Sequence, residues 1–292
     1  VGRIPREAKV IAITVIFTHE WPFAAKLVER IKARHPEKKI ILGGEHVTSM
    51  PEFCLLTSPA DFVARGEGED TVVEFLKTFN SSNPDYSSID GLSFIRDGKI
   101  VTNKRRARSK NVDDIQPPAW EEFNLTGYHK KRFVGGMYSS KLTMPILATR
   151  GCPYQCTYCS SPNMWTPLWI PRSPAKVVDE IESYVNTYGA GNFPFQDLTA
   201  IIKKDWILDF CAELERRQMK ISWQFPTGTR SEVIDEEVSA SLARAGMLSM
   251  AYAPESGSDE TRKIIKKKLK ADRLLDSIRA AAKENLNISI FL

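Results

Sequence analysis

Histidine and cysteine are both scarce, four of one and five of the other in 292 residues. Structural zinc commonly takes two separated ligand pairs, and no second cysteine or histidine pair follows the single place where cysteines gather. Long apolar runs are missing as well. The longest, Val10 to Phe17, is far too short to cross a bilayer and is interrupted by Thr14, so no transmembrane segment is expected. No secretory leader is visible, and three clustered cysteines do not make a disulfide scaffold, which points to a reducing, cytoplasmic setting. A formal charge of +5 is small for this length and gives no reason to expect direct nucleic-acid recognition. Its densest part, Lys104, Arg105, Arg106, Arg108 and Lys110, follows a strand and reads as a solvated connector. No low-complexity segment or short internal repeat stands out.

What remains is a globular composition with room for two cores. One stretch organises it: Arg150-Gly151-Cys152-Pro153-Tyr154-Gln155-Cys156-Thr157-Tyr158-Cys159. Thiolates spaced C-x3-C-x2-C on a short loop wrap one corner of a 4Fe-4S cluster, each taking one iron and leaving the fourth iron without a protein ligand. An open coordination position is where a metal site does chemistry. The other two cysteines read as small core hydrophobes: Cys54 in Phe53-Cys54-Leu55-Leu56, and Cys211 on a helical face with Trp206, Ile207, Phe210 and Leu214.

The segment Ala148 to Ser160, with an aromatic (Tyr158) before its last cysteine, resembles the cluster loop of radical S-adenosylmethionine (SAM) enzymes. What precedes it is similar to the cobalamin-binding domain of the subfamily that includes the anaerobic magnesium-protoporphyrin ester cyclase and many cobalamin-dependent methylases. The resemblance implies that a cluster held by Cys152, Cys156 and Cys159 cleaves SAM to a 5'-deoxyadenosyl radical. That radical acts on an unactivated carbon of a small-molecule, lipid or tetrapyrrole-type substrate, by methylation or by oxidative cyclisation. An external one-electron reductant of flavodoxin or ferredoxin type is implied as a partner.

In chain order the pattern is α/β. Lys9 to Phe17 and Lys39 to Leu42 read as buried parallel strands, Asp61 to Arg65 as a third, with helices at Phe23 to Ala33, Pro51 to Leu56 and Asp70 to Phe79. This is a partial doubly wound, Rossmann-like domain over residues 1–80, where ligands bind beyond the carboxyl ends of strands. Both glycine turns, Gly43-Gly44-Glu45-His46-Val47-Thr48 and Gly66-Glu67-Gly68-Glu69, fall there. As turns alone they need no ligand. By the resemblance, Gly43, Gly44, Glu45, Thr48, Gly66, Glu67 and Gly68 line the cobalamin slot. The Asp-x-His-x-x-Gly motif that supplies a lower cobalt ligand in many cobalamin proteins is absent, and His19 and His46, the histidines near strand ends, read as surface or capping residues.

Residues 81–140 read as a β-hairpin, Gly91 to Val101 turning at Asp97-Gly98, and a connector through Gln116-Pro117-Pro118-Ala119-Trp120. From 141 to 292 a strand-helix alternation repeats. Strands are expected at Pro145 to Ala148, Asn192 to Phe195, Ile221 to Phe225, Leu248 to Ala253 and Asn287 to Phe291, and helices at Pro174 to Tyr188, Lys204 to Arg217, Asp235 to Ala245 and Asp272 to Glu284. That is a partial radical SAM (β/α) barrel, expected to be incomplete at its C-terminal end and to carry an exposed edge. By the resemblance Tyr158, Asp197, Arg230, Glu255 and Ser256 contact SAM. Gln196 stands where the family often has a second acid. Taken alone, Asp197 and Glu255 also suit helix N-caps and Arg230 a surface pair with Glu232. Two other readings stay open: a radical SAM enzyme whose N-terminal domain docks partners without cobalamin, and a non-enzymatic electron-transfer or zinc-stabilised module.

Overall fold

The computed structural model describes residues 2, 4–230 and 232–292. The chain divides into two units, Val1–Ser109 with Ser160–Thr166, and Lys110–Cys159 with Pro167–Leu292. In the first unit, strands β1 (Val10–Thr14), β2 (Lys39–Gly43) and β3 (Phe62–Ala64) lie parallel in that order. Parallel neighbours need crossovers. These carry α1 (Trp21–Arg34), α2 (Glu45–Ser49) and α3 (Pro51–Leu56). Val28, Ile31, Val47, Cys54 and Leu55 pack from those helices onto Ile40 and Leu42. On the opposite face α4 (Glu69–Phe79) brings Phe75 against Ile41 and Phe62. Successive residues of β2 therefore bury on opposite sides, which is why its sequence is apolar without alternation.

The hairpin β4 (Leu92–Arg96) and β5 (Lys99–Thr102) joins this sheet antiparallel to β3, through Phe62↔Phe94 and Ala64↔Leu92. The expected hairpin thus extends the first sheet: Leu92 and Phe94 share the apolar cluster of Phe62 and Phe75. The basic stretch after it is not merely solvated either. Arg106 pairs with Glu74 at 2.5 Å and donates to Thr71 Oγ1 at 2.8 Å.

In the second unit α5 (Leu125–Lys130) precedes β6 (Leu142–Thr143). A two-residue ribbon, β7 (Thr149–Arg150) against β8 (Ile170–Pro171), flanks the cysteine loop and the short α6 (Ser161–Trp165), which belongs to the first unit. There follow α7 (Pro174–Tyr188), β9 (Ala190–Pro194), α8 (Lys204–Arg216), β10 (Ser222–Thr229), α9 (Glu236–Arg244), β11 (Met247–Tyr252), α10 (Asp259–Ile264), α11 (Ala271–Lys283) and β12 (Asn287–Ile290). Strands β6, β9, β10, β11 and β12 form one parallel sheet in sequential order, the curl of a (β/α) barrel wall. Phe193, Phe195, Trp223 and Phe225 face the helices. Ring centroids of Phe195 lie 5.1 Å from Phe225 and 5.5 Å from Trp223.

The first barrel strand departs from expectation. Regular pairing is confined to Leu142–Thr143, with a single bridge from Ile146 to Phe195. Pro145 and Pro194 have no N–H to give, so the ladder is interrupted while Met144 N–H and Ile146 N–H still donate to Asn192 O and Pro194 O, each at 3.0 Å.

Candidate active site

Beyond Ile146 the chain lifts off the barrel wall through β7 and enters the cysteine loop at Gly151, whose φ of 88° suits glycine. None of Cys152, Cys156 and Cys159 is in a disulfide, and Cys159 N–H donates to Cys156 O at 3.1 Å, closing a tight turn. Burial pushes the Cys152 thiol up, and the neighbouring Cys159 and Cys156 add to that, so the three sulfurs share one electrostatic neighbourhood. The loop leans on the segment after α10: Thr157 N–H donates to Ile265 O at 3.0 Å, and Cys156 Sγ lies 3.9 Å from Lys266 O. Cys54 and Cys211 are fully buried in separate cores, as expected, and burial raises both thiols to about 12.

Asp197 follows β9 and is 1% exposed. Its Oδ1 accepts from Thr149 N–H at 2.5 Å and Thr149 Oγ1 at 2.6 Å, and both its oxygens lie 3.1 Å from Ala148 N. Asp197, expected to contact SAM, is thus hydrogen-bonded within the protein. The carboxylate is consumed in stitching the end of the first barrel strand to the second, two residues before Gly151, and it is not an N-cap. Burial, opposed by those hydrogen bonds, raises it to about 6.

Arg230, after β10, is 7% exposed, and its guanidinium lies 3.8 Å from the Tyr154 ring centroid. It donates to Glu232 and to Lys268 O. Arg230, expected to clasp a SAM carboxylate, here stacks on Tyr154, and its pair with Glu232, the other reading, is partly buried. Glu255 keeps a position beside the loop. It has a left-handed φ of 64°, pairs with Lys267 Nζ at 3.2 Å and hydrogen-bonds Tyr158, whose own hydroxyl is 3.4 Å from the same ammonium. Burial, then Glu255, pushes the Tyr158 hydroxyl well above its ordinary value. A non-glycine residue held in that backbone region costs about 1–3 kcal/mol and clusters at functional sites. Glu255 caps no helix; Ser258 caps α10 by accepting from Thr261 N–H at 3.2 Å. Ser256 Oγ accepts from Ser258 N–H at 3.1 Å.

The inner face of the barrel wall carries a polar ladder and an apolar cavity. Gln224 Oε1 accepts from Met137 N–H at 2.7 Å and from Ser249 Oγ at 3.0 Å, while its Nε2 donates to Met137 O at 3.0 Å. Residues 133–137, expected as connector, are thereby drawn into the barrel. Gly136 suits glycine alone, with φ at 78° and a Cβ that would lie 2.5 Å from Gln224 Oε1, while a Cβ at Gly135 would press on the end of the Gln196 side chain at 2.5 Å. Next to this strap lies a cavity of about 350 Å³, lined chiefly by Trp120, Phe123, Tyr128, Phe133 and Pro145, with Gln196 among its polar groups.

In the first unit the two glycine turns meet. Thr48 Oγ1 accepts from Gly66 N–H at 3.0 Å. Gly44, at φ 103°, is fixed by packing, since a Cβ would lie 2.5 Å from Val15 O. Around Gly43, Gly66 and Gly68 a Cβ would meet nothing within 4 Å, leaving open space at the carboxyl ends of β2 and β3. Glu67 Oε2 accepts from Ser109 N–H at 2.9 Å. Glu45, expected in the cobalamin slot, turns to α6: Ser160 Oγ donates to it at 2.5 Å and Trp165 Nε1 at 3.2 Å. Arg105 and Arg108 donate to the carbonyls of Asn163, Met164 and Trp165, supplying partners that the end of a helix lacks. His46 is 4% exposed, 5.4 Å from the Trp21 ring, with Nδ1 3.2 Å from Thr18 Oγ1 and no partner at Nε2 among the described residues. It is a core histidine, neither surface nor cap. His19 stacks on Phe17 at 5.5 Å.

Comparison with known proteins interprets this arrangement. Residues 3–76 match the B12 binding domain family, and residues 146–292, half of the chain, match the Radical SAM superfamily. The chain belongs to the radical SAM superfamily. An uncharacterized methyltransferase of Pyrococcus horikoshii is 27% identical over 85% of this chain and 52% of its own length. The anaerobic magnesium-protoporphyrin IX monomethyl ester cyclase of Cereibacter sphaeroides is 30% identical over 76% of this chain and 36% of its own length. The chain thus spans about half or less of these relatives. Among solved structures, the cobalamin-dependent radical enzyme OxsB has a TM-score of 0.77 at 19% identity, covering 97% of this chain and 40% of its own. The radical SAM methyltransferase TsrM of Kitasatospora setae has a TM-score of 0.75 at 17% identity, covering 98% and 56%. These two share the fold.

A radical SAM domain takes a 4Fe-4S cluster and SAM, and a B12 domain takes cobalamin; those are the cofactors of the domains present. The residues fit the cluster. Three cysteines lie in one short loop, none in a disulfide, and a cubane asks three thiolates to bind three separate irons. Open space at Gly43, Gly66 and Gly68 is room of the kind a B12 domain needs. Among the described residues no helix is long and apolar enough to cross a membrane. Sequence reading did not single out Tyr154 and Lys267, which the fold sets against Arg230, Tyr158 and Glu255. Tyr154 lies inside the quoted loop, but Lys267 is joined to Tyr158 only by the fold.

Proposed function

We propose that the protein is a cobalamin-dependent radical SAM enzyme that methylates or oxidatively cyclises an unactivated carbon of an apolar small molecule. The observation that carries the reading is three cysteines, none in a disulfide, gathered in one loop beyond the first barrel strand, with the other two cysteines buried elsewhere. When bound, the cluster, SAM and cobalamin supply one-electron cleavage of SAM to 5'-deoxyadenosine and a transferable methyl group. Cys152, Cys156 and Cys159 hold the cluster. Asp197 and Thr149 fix the strand that delivers it, and Tyr158, Glu255 and Lys267 form the polar wall beside Cys156 that receives SAM. Gly43, Gly66 and Gly68 border the space for cobalamin. The cavity of Trp120, Phe123, Tyr128 and Phe133 accepts the apolar body of the substrate and excludes water, with Gln196 as its hydrogen-bonding group.

The test is protein reconstituted anaerobically with iron, sulfide and cobalamin, then desalted. Retained corrinoid absorbance and a labelled methyl group moving from SAM to cobalamin support the reading. Cluster-dependent SAM cleavage with no bound corrinoid replaces it by a radical SAM enzyme whose first domain only docks partners. Bound zinc without SAM cleavage removes it.

A further inference from the structure

A lysine-rich face stands directly behind the cysteine loop. Lys263, Lys266, Lys268 and Lys270 are exposed and, among the described residues, have no carboxylate within ion-pair distance. The nearby cations Arg262 and Lys267 are already paired, with Asp259 and Glu255. The face is concave, enclosing about 640 Å³ between α10 and the start of α11. At its edge Ile264, the last residue of α10, is 69% exposed. Asp259 and Asp272 are the acids that share the concavity, so lysines predominate, and an exposed aliphatic side chain within a charged rim is the composition of a docking surface.

The backbone of the same segment touches the loop. Ile265 O accepts from Thr157 N–H, Lys266 O lies against Cys156 Sγ, and Lys268 O accepts from Arg230, which stacks on Tyr154. One residue therefore presents its side chain to solvent and its carbonyl to a cysteine of the loop.

We infer that the Lys263–Lys270 face docks an acidic one-electron carrier protein of the flavin or iron-sulfur class. This rests on the proposed function and deepens it by assigning the reductant its surface. The carrier gives up one electron and is oxidised by one; the cluster held by the three cysteines is reduced by one. Lysines steer an acidic partner into register, and Ile264 supplies the dry contact. The patch spans one helical turn and a loop, too compact to track a nucleic-acid backbone, so a protein partner is the better match.

The experiment compares reduction of the reconstituted full chain by reduced flavodoxin and by dithionite in stopped flow. Three proteins are used: wild type, Lys263→Glu/Lys268→Glu/Lys270→Glu, and Lys263→Arg/Lys268→Arg/Lys270→Arg. At roughly 50 mM salt the glutamate variant should react with flavodoxin about tenfold more slowly or worse, and the arginine variant like wild type. Added salt should slow wild type far more than the glutamate variant. Dithionite, which needs no docking, should reduce all three alike, which also shows an intact fold and cluster. Equal flavodoxin rates with intact dithionite reduction overturn the docking face. No dithionite-reducible cluster in wild type overturns the proposed function itself, and the docking face with it.

Discussion

Replacing Asp197 separates its cost as a buried charge from its value as a bracket. The carboxyl is 1% exposed and titrates near 6, against an ordinary 3.8, because burial outweighs the hydrogen bonds from Thr149 and Ala148. An acid raised in the folded state holds its proton there while the unfolded chain has lost it. Stability from this group is thus full below about pH 3.8 and falls as pH rises through about 6. Roughly two pH units at about 1.4 kcal/mol each put the loss near 3 kcal/mol. Asp197→Asn keeps an acceptor for Thr149 while removing the charge, so it should lie within about 1 kcal/mol of wild type below pH 4, exceed it by about 2–3 kcal/mol at pH 7 and lose the slope between pH 4 and 6. Asp197→Ala strands the N–H groups of Ala148 and Thr149 and should cost about 3 kcal/mol at pH 7. Urea unfolding followed by circular dichroism at pH 4.5, 5.5 and 7 reads this directly. The depressed carboxyls Asp85 and Glu213, each near 2, titrate below this window. If Asp197→Asn keeps the wild-type slope, the burial argument is wrong.

The glycine turns give a contrast of a different kind. Gly44→Ala should cost about 2 kcal/mol or more, because its Cβ would strike Val15 O at 2.5 Å from a positive φ, and chemical denaturation measures it. Gly68→Ala meets nothing within 4 Å, so it should leave stability unchanged while lowering cobalamin retained after desalting. Glu45→Ala removes the acceptor for Ser160 and Trp165; amide hydrogen exchange at 160–166 should speed up several-fold, reflecting about 1–2 kcal/mol. Burial holds His46 below its ordinary 6.5, so its stability is present above that pH and is lost on acidification below it. His46→Phe should flatten this acid limb in a titration of unfolding midpoints.

Local features were legible where local physics decides them. Helix α7 begins at Pro174 and stops at Gly189, whose φ is 68°, and it runs as its 3.6-residue pattern requires. The three cysteines announced a cluster because thiolate spacing on a loop is a short-range property. What stayed hidden are contacts between distant residues. Gln224 holds Met137 across 87 positions, which turned a connector into part of the barrel interior. Glu45 reaches Ser160 across 115 positions, so a residue that family resemblance gave to cobalamin turns to α6. Asp197 and Arg230 lie at the strand ends where they were sought. Burial and donor placement turned them inward, and neither is visible in a pattern of residue types.

The account stands on the open iron that three cysteines leave. Its most direct test is 5'-deoxyadenosine, measured chromatographically after SAM and reductant are added to the anaerobically reconstituted protein, with Cys156→Ala alongside. The account predicts 5'-deoxyadenosine from the intact chain and none from the variant. An intact chain with a full iron and sulfide complement that makes none, or a variant that makes as much, contradicts it.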